Sequence, residues 1–161
     1  MHWVIEHFRG YRRRSPWDFC WRVTLEGLAL SVAVAMLMWC LGVPELKLNA
    51  SRRKVVVAAI LVAPIVETLL FQALPIGCAR LLKAKFASQV AWSMALFCVL
   101  HIASNGIGSG VAAGLVGGFY FGFTYAHWRG RSRWTAFWTT GLSHAMSNAA
   151  VVSFGIACGD I

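Results

Sequence analysis

The sequence is banded. Five apolar runs, Val23 to Val43, Val55 to Leu82, Phe86 to Ala103, Ile107 to Trp128 and Thr135 to Ala157, alternate with short segments carrying Arg and Lys. A helix needs about 20 apolar residues to cross a bilayer. In lipid every backbone N–H and C=O must find a partner within the protein, which leaves runs of this length as helices. The banding therefore predicts an all-α fold, a polytopic membrane helix bundle of about five transmembrane helices, with the whole chain, 1–161, forming one domain. Composition agrees: 58% of the 161 residues are apolar and 13% are charged, where soluble domains run near one half and one quarter.

The net charge of +9 could suggest a nucleic-acid partner. The bases instead sit in clusters flanking apolar runs, which is the pattern of membrane boundaries. The expected partner is the lipid bilayer, with no nucleic acid. Residues 1–22, with Arg9, Arg12, Arg13, Arg14, Arg22, Trp3, Trp17 and Trp21, read as an interfacial segment, Trp at headgroup depth and Arg on anionic lipid. A signal peptide is not expected, because the following run is long and no small-x-small cleavage site closes it. With the N-terminus inside, the inner flanks hold the bases of 9–22, Arg80, Lys83, Lys85, Arg129, Arg131 and Arg133, and the outer flank only the 44–54 loop with Arg52, Arg53 and Lys54 at its end. That bias predicts an inside N-terminus.

Punctuation along the chain carries further expectations. Pro44 should end the first span. The second is longer than a bilayer requires, so it tilts or projects, and Pro64 and Pro75 should bend it. Gly110, Gly114, Gly118 and Gly122 recur every four residues on the fourth span, with Gly117 beside them. Such spacing lets another helix approach closely. A dinucleotide loop would need a preceding strand and G-x-G-x-x-G, and neither is present. Cys20, Cys40, Cys78, Cys98 and Cys158 are scattered without a C-x-x-C pair, so they read as small apolar core residues. The sequence sets no oligomeric state.

Glu67 stands in the most continuously apolar stretch of the chain. A carboxylate at the centre of a membrane helix costs roughly 2.5–3.5 kcal/mol even on lenient insertion scales. Other polar groups share its depth. Thr68 and Gln72 lie beside it on the second span. Phe97 and His101 are four apart on the third. His144 and Asn148 are four apart on the fifth, in a stripe with Thr140 and Ser147. Singly, Asn, Ser and Thr are ordinary interhelical contacts worth about 0.6 kcal/mol each, and a lone His usually completes a hydrogen-bond network. Together they form the parts of an amide hydrolase. A carboxylate can act as general base on a water, a second group can share that water or protonate the leaving nitrogen, and a His–Asn pair can donate to a developing oxyanion. Zinc is the competing use of Glu and His, although H-E-x-x-H is absent. A proton relay in a transporter is another, with no internal repeat to support it. A non-catalytic membrane scaffold or immunity protein that binds a peptide in the same cavity is a third.

These three stretches, in order, resemble the motifs of the CPBP intramembrane proteases, the CAAX-protease and bacteriocin-processing (Abi) family. Its first motif is E-E-x-x-x-R, against Glu67-Thr68-Leu69-Leu70-Phe71-Gln72. The second is F-x-x-x-H, matched by Phe97 to His101, and the third H-x-x-x-N, matched by His144 to Asn148. The likeness covers roughly residues 55–157, expected as the catalytic core. It implies a glutamic-type intramembrane endopeptidase without covalent intermediate or cofactor. Glu67 would activate water, His101 would work with it, and His144 with Asn148 would hold the oxyanion. Thr68 and Gln72 stand where the family has its second Glu and its Arg, and a neutral Thr–Gln pair is expected in place of the charged one. With fewer spans than the eukaryotic CAAX endopeptidases, the resemblance implies a membrane-associated peptide or protein substrate in bacterial peptide maturation, sorting or leader processing, at the inner membrane.

Overall fold

The computed structural model describes residues 7, 10, 11, 14–43 and 56–158. Most of the expected interfacial segment before residue 14, the 44–54 loop with Pro44, and the expected start of the second span at Val55 lie outside the described residues. Within them the chain is helical throughout. Five long helices follow one another: α1 (Pro16–Cys40), α2 (Ala58–Leu81), α3 (Phe86–Asn105), α4 (residues 107–129) and α5 (Arg133–Cys158). The expected all-α bundle is what forms.

The first helix begins earlier than the apolar run. Ser15 caps it, its hydroxyl accepting from the Asp18 N–H at 3.2 Å, and Pro16 occupies the first turn, where a missing N–H costs nothing. Asp18 pairs with Arg14 at 2.5 Å and with Arg22 at 2.9 Å. These i,i+4 partners are what let charged residues 14–22 continue into a membrane helix. Trp17 and Trp21 therefore ride on the first turns of α1, exposed. The helix stops at Cys40, before Pro44, because Gly42 takes φ of +69°, a left-handed turn that favours glycine. Tyr11, ahead of α1, donates to the carboxylate of Glu26 on that helix and packs on Phe19 and Phe123.

The prolines of α2 do more than bend it. Each follows a widened stretch, 58–62 before Pro64 and 68–73 before Pro75, where amides donate five residues back. Ala63 N–H donates to Ala58 O and Leu74 N–H to Leu69 O. A proline ring clashes with the carbonyl four residues earlier and brings no N–H. Widening the preceding turn removes the clash and leaves a carbonyl without its donor. Side chains from other helices donate to carbonyls of these widened stretches: Ser93 Oγ to Phe71 O at 2.7 Å, and Asn148 Nδ2 to Ala59 O at 2.8 Å.

Glycines set the α3–α4 contact as their spacing predicts. A Cβ added at Gly110 would lie 2.5 Å from Ile102 Cα, one at Gly114 2.8 Å from Cys98 Cα, and one at Gly118 3.1 Å from Met94 O. Each step of four along α4 meets a step of four back along α3, so the two backbones run antiparallel at close range after the Gly106 turn, φ +82°. α1 joins α5 and α4 through Cys20 Sγ to Thr139 O (3.4 Å), Thr24 Oγ1 to Ser143 O (3.4 Å) and Ser31 Oγ to Ala112 O (3.2 Å). Cys20, Cys40, Cys78 and Cys98 are free thiols.

Three helices, Pro16–Cys40, Ala58–Leu81 and Phe86–Asn105, are long and apolar enough to cross a membrane. Five spans were expected. α4, with its repeated glycines, and α5, with the polar stripe, are not among those three. Large apolar side chains such as Trp39, Leu69, Leu81, Trp92, Val99 and Phe154 are exposed on the outside of the bundle. That surface suits lipid and would be unsuited to water.

Candidate active site

Glu67 lies at the end of the short α segment 63–67 between the two widened stretches of α2. The breaks around the prolines thus fix where its side chain emerges. Its Oε2 is 3.7 Å from His144 Nε2 and 3.9 Å from His101 Nε2. The same oxygen is buried without a hydrogen-bond partner among the described residues. Both gaps exceed a direct hydrogen bond, so the three atoms converge without pairing. No described Lys or Arg lies within ion-pair distance of Glu67; the two imidazoles are its partners.

The two histidines are held differently. The Phe97-to-His101 spacing puts the ring on its own helix backbone: His101 Nδ1 sits 3.0 Å from Phe97 O. A carbonyl can only accept, so Nδ1 carries the proton and, in the neutral ring, Nε2 is left as an acceptor facing Glu67. The Phe97 ring also stacks on His101 at 4.1 Å. It meets the His144 ring edge-on at 5.8 Å. His144 is buried to 2% exposure, while the Glu67 side chain keeps 25% and that of His101 17%. The cluster thus has a closed floor at α5 and an open side at α2 and α3.

Phe121 completes the floor, stacking on His144 at 4.3 Å. Motif spacing gave no sign of it. Its signal was indirect: it lies on the glycine-rich helix, four residues after Gly117 and three after Gly118, on the side that close packing turns toward α3 and α5. The Ala59 carbonyl was equally unseen.

Four of the expected site residues, Glu67, Phe97, His101 and His144, gather at this point. Asn148 is one turn further along α5, its amide donating to Ala59 O, with the second N–H of its NH2 group in excess of that bond. Ser147 turns its hydroxyl to Ser143 O of its own helix, at 3.0 Å. Thr68 and Gln72 are both fully buried at 0% exposure, yet the expected neutral pair does not form. Thr68 Oγ1 and both amide atoms of Gln72 lack hydrogen-bond partners among the described residues.

Among the described residues no group of three or more His, Cys, Asp or Glu is arranged to hold a metal ion.

A carboxylate and two imidazoles converging inside an all-helical membrane bundle are the equipment of a membrane-embedded hydrolase. Residues 50–150, more than half of the chain, match the family model for type II CAAX prenyl endopeptidase Rce1-like proteins. The chain belongs to that family and is by class an intramembrane endopeptidase acting on a peptide or protein substrate in the membrane. No curated protein and no solved structure is a significant match for it.

Proposed function

We propose that the chain is a glutamic-type intramembrane endopeptidase in which Glu67 is the general base. The supporting observation is the convergence of Glu67 Oε2 on two imidazole nitrogens at 3.7 and 3.9 Å. A water between them donates one proton to Glu67 and is steered by the acceptor Nε2 of His101. As the water attacks the scissile carbonyl, Glu67 takes its proton and the carbonyl oxygen gains charge. His144 Nε2–H and the second Asn148 N–H donate to that oxygen. The amide nitrogen then leaves with the proton held by Glu67. No covalent intermediate and no cofactor is required. General acid–base participation contributes roughly 10²- to 10⁴-fold, and loss of one oxyanion donor costs roughly 10²- to 10³-fold.

The reading extends to a multi-pass protein of the bacterial cell membrane that processes a membrane-associated peptide. Supporting it are the three exposed apolar helices and the basic flanks between runs. The test is cleavage of a membrane-peptide library by protein reconstituted in bilayers, read by mass spectrometry. Wild type should give defined cut sites, and His101→Ala should give none while still inserting. Full activity in His101→Ala would overturn the assignment. Covalent capture of an uncleaved peptide by a Glu67→Gln variant carrying a photocrosslinker would name the substrate.

A further inference from the structure

The Glu67–His101–His144 cluster is not at mid-depth in the bundle. His101 is four residues from the end of α3 at Asn105, about 6 Å at 1.5 Å per residue, and fifteen from its start at Phe86, about 22 Å. Glu67, which faces it, is fourteen residues from Leu81 at the Phe86 end of α2, about 21 Å. The hydrocarbon core of a bilayer is about 30 Å thick. The cluster therefore lies in the half of the membrane that contains the Gly106 turn.

The two sides of the cluster differ in chemistry. Phe97, one turn before His101 toward Phe86, is 1% exposed and stacks on the imidazole at 4.1 Å. Phe121 comes from the same level: Gly118, three residues before it, packs on Met94 and Phe97. Its ring meets Phe97 edge-on at 5.8 Å and stacks on His144 at 4.3 Å. Two phenyl rings thus lie on the Phe86 side of the imidazoles. On the other side, Ser104 and Asn105 are three and four residues after His101 and share its helix face. Ser104 is exposed and Asn105 half-buried, so a short polar stripe runs from the imidazole to the end of α3. A hydrolase must admit water and a peptide backbone. The polar stripe can hydrogen-bond both, and the aromatic side can satisfy neither.

The aromatic side faces the basic end of the bundle. α1 and α5 start together, because Cys20 bonds Thr139 O and Thr24 bonds Ser143 O. The bases of 14–22 and 129–133 therefore gather with Arg80, Lys83 and Lys85 of the α2–α3 turn. The stretch from Phe86 to Trp128, which makes the Gly106 end, carries no Lys, Arg, Asp or Glu. Eight described bases at one end, against Lys47, Arg52, Arg53 and Lys54 in the 44–54 connection, mark the basic end as cytoplasmic.

We infer that the cluster opens to the outer face of the membrane, past Ser104 and Asn105, and that its substrate class is a peptide segment presented from that face: the outer part of a membrane anchor, or translocated chain beside it. This names the substrate side of the proposed endopeptidase and rests on that reading. A peptide held in the cytoplasmic leaflet would have to carry its scissile bond about 20 Å inward and past Phe97 and Phe121.

The test uses the full chain, ring-¹⁵N His labelled and carrying an N-terminal affinity tag, oriented in vesicles by capture of that tag. An impermeant gadolinium chelate is added to one face at a time and solid-state NMR spectra are recorded. The His101 signals should be lost to the chelate on the face opposite the tag and survive it on the tag's face. His127, two residues before Arg129 at the basic end, should do the reverse. In cell membranes a protease should remove the tag from inverted vesicles and not from intact cells. Transmembrane peptides of known orientation, reconstituted with the protein, should be cut within about two helical turns of the end away from the tag. Loss of the His101 signals to chelate on the tag's face, removal of the tag from intact cells, or cuts near the tag's face would each overturn the inference. A folded protein that cuts none of the peptides would count against the proposed endopeptidase, and the chelate and protease results would still decide the side to which the cluster opens.

Discussion

Asn148 donates from α5 to Ala59 O, a carbonyl of the widened stretch of α2 that precedes Pro64, at 2.8 Å. With Ala63 N–H taken by Ala58 O, the five-residue register assigns Ala59 O to residue 64, and residue 64 is a proline. Asn148 thus fastens the break that sets the direction of Glu67, in addition to the oxyanion role proposed for its second N–H.

Those two roles separate in a double-mutant cycle. Asn148→Ala should destabilise by about 0.6–1.7 kcal/mol, the range for interhelical side-chain bonds in membranes. Pro64→Ala returns an N–H to residue 64. In that background Asn148→Ala should cost little stability, yet kcat should stay down by roughly 10²-fold if the amide also serves the oxyanion. Unfolding in mixed micelles and single-turnover cleavage check the two halves. Recovery of kcat along with stability would leave Asn148 as a clamp alone.

Gly114 packs its α-carbon against His101 and Cys98, and an added methyl would lie 2.9 Å from His101 Cβ and 2.8 Å from Cys98 Cα. Gly114→Ala should push α3 and α4 apart, cost about 1–3 kcal/mol by overpacking and misplace His101. A shift of about 1 Å at a catalytic group can cost 10²-fold in rate. Gly77, on the same bundle but with nothing within 4 Å of its added Cβ, is the control. Gly77→Ala should leave activity unchanged and stability equal or slightly higher. Equal effects at the two glycines would contradict the packing account.

Thr68 and Gln72 occupy the positions of a Glu and an Arg in the motif this stretch resembles, and both are fully buried. Gln72→Arg alone buries a guanidinium with no anion beside it and should be strongly destabilising, by about 3–5 kcal/mol. Adding Thr68→Glu should recover part of that loss, with a favourable coupling of about 1–3 kcal/mol in the cycle. Thermal unfolding of the four proteins measures it. Strict additivity would show that the two positions do not meet even as a charged pair.

Metal removal should leave cleavage intact, because in the proposed reaction Glu67 itself takes the water's proton and no metal is needed to activate it. Incubation with a strong zinc chelator, followed by the peptide-library assay and elemental analysis, checks this. Activity lost to the chelator and restored by zinc would move Glu67, His101 and His144 into a metal shell.

Much of this was legible in the residues. Helix number follows from apolar runs of bilayer length, and the α3–α4 contact from glycines four apart. The convergence of Glu67, His101 and His144 followed from the cost of polar groups in lipid, which must face inward. What spacing could not give was register. Spacing put Thr68 and Gln72 on one face, but it could not show that no hydrogen bond joins them. The acceptor for Asn148, in the widened stretch before Pro64, is one that no motif encodes. The start of α1 was missed because Asp18 and its two Arg partners look like a polar boundary in sequence, and only the i,i+4 pairing shows them to be helix. Phe121 was invisible for a simpler reason: a phenyl ring in an apolar run looks the same whether it faces lipid or an imidazole.

The most direct measurement is cleavage by purified Glu67→Gln in bilayers, beside wild type, with insertion and thermal unfolding measured on both. Gln is nearly isosteric with Glu and cannot accept the water's proton. Cleavage should fall to background, by roughly 10²-fold or more, with the fold retained. Undiminished cleavage in a folded Glu67→Gln protein would contradict Glu67 as the base.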